Sequence, residues 1–86
     1  MANFPEEQIY EYPPILKRKT FTKDVKYRIR IVRRLIDGIP RILFEIREYI
    51  VTERHAMFTE KGFYFTLDEL NNLENVIKDS KKYFRN

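Results

Sequence analysis

The chain has 86 residues, 43% hydrophobic and 15% aromatic, with no cysteine; this makes one domain, excludes disulfides and thiolate metal sites, and leaves about 65 residues for a core once an irregular N-terminal segment is set aside. The net charge of +4 hides a segregation: Lys17, Arg18, Lys19, Lys23, Lys26, Arg28, Arg30, Arg33 and Arg34 stand against the single anion Asp24, while the rest of the chain is net acidic. Such a patch suits a polyanionic partner, with an ordinary solvated face as the bland alternative. No apolar run approaches the ~20 residues of a membrane span and the N-terminus has no signal-peptide pattern, so a soluble intracellular protein without membrane partners is expected.

In chain order, residues 1–19 hold Pro5, Pro13 and Pro14 among Phe4, Tyr10 and Tyr12 without a sustained period, and are expected to form an irregular arm. Its basic cluster Lys17-Arg18-Lys19 reads equally as a nuclear localisation signal, a phosphate contact or a solvated linker. Residues 20–86 form the domain. A first strand is expected from Phe21 to about Val32, because Val25, Tyr27, Ile29 and Ile31 share one parity and Lys26, Arg28 and Arg30 the other. Those cations recur about 7 Å apart at the ~3.3 Å rise per strand residue.

Asp37-Gly38 marks a hairpin turn, with Arg34, Leu35, Ile36 and Ile39 crowding its end. A second strand from Arg41 to about Val51 places Ile42, Phe44 and Ile46 on one face and Arg41, Glu45 and Arg47 on the other, Glu45 being expected to balance Arg41 or Arg47 across the ladder. Ala56 to Glu60 and Phe63 to Phe65 read as two short strands hinged at Gly62. Thr66 with Glu69 has the form of a capping box, and Leu70, Leu73, Val76, Ile77 and Phe84 follow at helical spacing, with acids in the first turn and cations in the last. The expected class is α+β: a four-stranded antiparallel sheet followed by one C-terminal helix. A chain this short with this much apolar surface is expected to seek further burial as a homodimer.

Catalysis is not indicated. The only histidine, His55, sits in a polar connection with no fixed-spacing partner, Glu45 and Glu48 have opposite strand parity, neither glycine belongs to a phosphate-cradling loop, and no metal-ligand cluster or cofactor motif is visible.

The segments FEIREYI (Phe44 to Ile50), Lys61-Gly62 before Phe63-Tyr64-Phe65, TLDELNNL (Thr66 to Leu73) and the basic alternating strand KYRIRI together resemble the transcriptional coactivator family called positive cofactor four, a group of single-stranded-DNA-binding proteins. The resemblance runs from about Phe21 to Phe84. It implies a curved four-stranded sheet, dimerisation through the helices by Leu70, Leu73, Ile77 and Phe84, and paired channels for single strands. By position, Arg41, Arg47 and Lys61 match the family's DNA-contacting cations. Ile50 stands where the family often has an aromatic residue, so stacking falls to Tyr49, Phe58 or Tyr64.

The function expected from these readings is non-catalytic, homodimeric binding of single-stranded DNA with little sequence preference, in transcription coactivation or the handling of melted DNA. Lys26, Arg28, Arg30, Arg34, Arg41, Arg47 and Lys61 are the candidate phosphate contacts, with Tyr49 and Phe58 as stacking residues. Two alternatives stand beside it: an adaptor that recruits transcription-machinery proteins through the hairpin and the arm, and a binder of single-stranded RNA. The expected place of action is the nucleus or a viral replication compartment.

Overall fold

A computed structural model describes residues 6–85 of the chain. The strands are β1 (Glu7–Glu11), β2 (Ile15–Lys19), β3 (Lys23–Ile36), β4 (Ile39–Thr52) and β5 (Ala56–Phe65), followed by helix α1 (Leu67–Ser80) and a 3-10 turn at Lys81–Phe84. All pairings are antiparallel, with β1 and β2 both on one side of β3, and β4 and β5 following on its other side.

Two expectations are corrected here. The described part of the arm is not irregular: Glu7 pairs with Arg33 and Lys19 with Asp24, so the path from β1 to β2 forms one edge of the sheet along β3. Alternation is hard to see in it because each half contains a register shift and Pro13-Pro14 interrupts it. Proline cannot donate to a ladder, which confines it to edges and breaks, and here Tyr12 N still donates to Ile29 O at 2.9 Å beside the break. The second correction concerns Ala56 to Phe65, which is a single strand rather than two hinged pieces, giving five strands in place of four. Residues 1–5 of the arm lie outside the described residues.

The β3–β4 hairpin is the frame. Its fourteen cross-strand pairs run from Lys23↔Thr52 to Ile36↔Ile39, closed by Asp37 (φ 53°) and Gly38 (φ 78°). Positive φ at both central residues is the turn whose twist matches paired strands, and Asp-Gly is among the sequences that adopt it most readily. Both strands therefore continue up to the turn, beyond the Val32 and Arg41 limits that hydrophobic alternation alone suggests.

At the other end of the sheet, the Thr66 hydroxyl accepts from Glu69 N at 3.3 Å and Glu69 Oε1 accepts from Thr66 N at 2.8 Å, so the capping box starts α1 as expected. The helix lays Leu67, Leu70, Leu73 and Ile77 toward Phe44 and Ile46 of the apolar sheet face. It covers that face incompletely: no residue of α1 is buried, and Ile42 (57% exposed), Phe63 (65%) and Ile77 (48%) remain open. The buried hydrophobic side chains among the described residues are only Val25, Val32 and Leu43.

Candidate nucleic-acid interface

Side chains of directly paired strand residues share a face, so the register builds the site. One face carries, as cross-strand pairs, Lys26 with Tyr49, Arg28 with Arg47, Arg30 with Glu45, Val32 with Leu43 and Arg34 with Arg41. From β5 the same face receives Phe58 beside Tyr49, Gly62 beside Arg47 and Tyr64 beside Glu45. Six of the seven cations singled out from sequence are thus brought together with both stacking candidates.

Two of the pairs, Arg28↔Arg47 and Arg34↔Arg41, set like charges directly opposite each other. That arrangement destabilises a sheet unless something offsets it. For the first pair, part of the offset is an aromatic ring: the Arg28 guanidinium lies 4.3 Å and that of Arg47 5.5 Å from the Phe58 centroid. The Tyr49 ring is 5.7 Å from Phe58 at 53°. Phe58 nevertheless keeps 48% of its surface exposed, leaving room for another planar group. Gly62 makes the geometry possible, since a Cβ there would come within 3.3 Å of Arg47 Cδ and 3.0 Å of Ile46 O. The glycine of the Lys-Gly motif therefore clears space for the Arg47 stem.

Between the two arginine pairs lies a neutralised centre. Glu45 Oε1 accepts from Arg30 Nε at 2.6 Å and from Arg28 Nη2 at 3.3 Å, while Glu45 and Arg30 are themselves buried. Burial pushes the Glu45 carboxyl up, but the hydrogen bond and charge of Arg30 outweigh it and hold the group below the usual carboxylate range. This corrects the expected pairing of Glu45 with Arg41 or Arg47. It also changes the standing of Arg30, which is committed to Glu45, to Gln8 at 3.1 Å and to Glu6 at 2.5 Å, and is a structural cation rather than an open one. Among the described residues, no carboxylate lies within 4.0 Å of Lys26, Arg41 or Arg47, nor has buried Arg47 Nε a hydrogen-bond partner.

Lys61 is not brought to this face. The β4–β5 register jumps from Arg47↔Gly62 to Tyr49↔Phe58, so Thr59, Glu60 and Lys61 bulge opposite Glu48. Lys61 lines a cavity on the apolar side together with Tyr27, Ile29, Ile46, Glu48 and Phe63. There Lys17 donates to Glu48 at 2.9 Å and Thr59 donates at 3.0 Å, and these bonds lower the Glu48 carboxyl and, at the other end, raise the Lys17 ammonium. Lys19 reaches Asp24 at 3.5 Å, so two members of the basic cluster are tied into β2 ion pairs.

Sequence reasoning missed Glu6 and Gln8 as occupants of the cationic face, because nothing in the arm's composition marks it as a strand. Among the described residues no group of His, Cys, Asp and Glu side chains is placed to hold a metal ion, and no helix is long and apolar enough to cross a membrane. No family model matches the chain, and neither a curated protein nor a solved structure matches it.

Proposed function

We infer that this chain is a non-catalytic, homodimeric protein that binds single-stranded DNA with little sequence preference, acting as a transcription coactivator of the positive-cofactor-four kind or on melted DNA in a nucleus or viral replication compartment. The observation that carries this reading is the Arg28–Arg47 pair flanking the half-open Phe58 ring, beside Tyr49. Cations for the backbone beside rings for the bases are the two parts of a sequence-tolerant single-strand site. A duplex offers the phosphates but keeps its bases stacked and paired, so it engages the cations without the rings.

The dimer is supported by surface. A folded monomer of 10.6 kDa exposes about 5,500 Å², whereas this chain exposes 7239 Å² and leaves Ile42, Phe63, Ile77 and Phe84 open on or beside the helical side. The excess of roughly 1,700 Å² on one chain is about twice the ~800 Å² that each partner buries in a standard interface, and lies in the range of about 1,000–2,500 Å² per partner of obligate homodimers. Pairing through Leu70, Leu73, Ile77 and Phe84 buries the apolar face and leaves the cationic face free.

The test is fluorescence anisotropy of equal-length single-stranded DNA, duplex DNA and single-stranded RNA with a salt titration. Expected is a preference for single strands, a log-log salt slope of roughly −0.7 per neutralised phosphate, and a loss of about 1–3 kcal/mol for Phe58→Ala. Equal weak binding to all three, unchanged by Phe58→Ala and Arg47→Ala, would instead favour the adaptor reading.

A further inference from the structure

The cationic face has a second end, and its Arg34↔Arg41 pair has a companion ring: the Arg34 guanidinium lies 4.7 Å from the Tyr64 centroid. This repeats, six residues along β3, the arginine-pair-with-ring arrangement at Phe58, roughly 20 Å away at ~3.3 Å per residue. The two ends differ in the carboxylate each holds. At the first end it is the buried Glu45, 3.3 Å from Arg28 Nη2; at the second it is the part-exposed Glu6, whose Oε2 lies 2.5 Å from Arg30 Nη2 while its Oε1 accepts from the Tyr64 hydroxyl at 3.4 Å and lies 3.7 Å from Arg34 Nε.

We propose that the Arg34–Arg41–Tyr64 end is a second phosphodiester subsite and that Glu6 is its resident anion, displaced when a bound single strand is long enough to reach it. The proposal rests on the single-strand reading given above. Carboxylate and phosphodiester oxygens are both taken by guanidinium donors, so one substitutes for the other without new chemistry.

The placement of Glu6 suits exchange. It precedes β1, whose first ladder pair is Glu7↔Arg33, so moving the Glu6 side chain breaks no strand pairing. Arg30 keeps its Glu45 and Gln8 partners when Glu6 leaves. Glu6 and Arg34 are also both part-exposed, at 35% and 41% of their side chains, so solvent and ligand reach the contact.

The experiment measures affinity of the full chain for oligothymidylates of about 4 and about 16 nucleotides, comparing wild type, Glu6→Gln and Glu7→Gln. The control is matched: Glu7 pairs with Arg33 on the opposite face and its substitution changes the net charge equally. Glu6→Gln is expected to tighten binding of the longer strand roughly two- to fivefold and to steepen its salt slope by about 0.7, leaving the short strand and the Glu7→Gln chain near wild type. Adding Arg34→Ala should abolish the gain. Equal effects of the two glutamine variants, or a gain that survives Arg34→Ala, would overturn this inference alone. Absence of binding by both wild type and Glu6→Gln would overturn the single-strand reading and this inference together.

Discussion

Gly62 shows how much of the cationic face depends on one missing side chain. Its would-be Cβ meets backbone at 3.0 Å and the Arg47 stem at 3.3 Å, so Gly62→Ala is expected to push Arg47 off the Phe58 ring. Single-strand affinity should then fall nearly as far as in Arg47→Ala while circular dichroism keeps the sheet signal. Away from that face, Glu48 and Lys17 set the response to pH. Hydrogen bonds from Lys17 and Thr59 lower the Glu48 carboxyl in the folded state, and burial opposed by Arg30 leaves Glu45 lowered too. Stability from both is present above the unfolded carboxylate value near 4.3 and is lost as pH falls below it. The Lys17 ammonium is raised by Glu48, so its contribution holds below about 10.4 and is lost only above that value. Thermal midpoints should therefore be flat with respect to these groups from about pH 5 to 9 and fall in acid, and Glu48→Gln should shallow the acid limb.

At the scale of elements, legibility followed local chemistry. The Asp37-Gly38 turn, the alternation of Val25 to Ile31 and the Thr66–Glu69 box each carry their own signal within a few residues, and the structure places all three as read. Glu7 to Lys19 carry no such signal because their strand character comes from docking on β3, a tertiary effect, with prolines at the break. The same holds for Ala56 to Phe65, where Gly62 reads as a hinge in sequence but serves as clearance for Arg47 inside one strand. In the site, parity found the cationic face, whereas the burial of Arg30 and Glu45 and the turning away of Lys61 depend on partners and a bulge that spacing does not encode. A separate consequence concerns the helix: Thr66→Ala removes the cap and should cost about 1 kcal/mol, read as a lower thermal midpoint, without changing affinity of the folded protein for single strands.

The whole molecule is a sheet with two unlike sides, one cationic and aromatic, the other apolar and only partly roofed by α1. Extents of 49 × 40 × 20 Å describe a flattened body. In the proposed dimer these sides divide the work. Ile77 lines the helix–sheet groove with Phe44 and is 48% exposed, so Ile77→Glu is expected to shift sedimentation velocity from dimer toward monomer, weakening binding of long strands more than short ones.

The most direct measurement of the central claim, that the Arg28–Arg47–Phe58 face is the single-strand surface, is a titration of the isotopically labelled protein with oligothymidylate followed by backbone and side-chain chemical shifts. The expected result is a set of perturbations at Lys26, Arg28, Arg47, Tyr49 and Phe58, with Ile29, Ile46 and the helix largely unmoved. Perturbations confined to the helix and the apolar face, or none at saturating oligonucleotide, would contradict it.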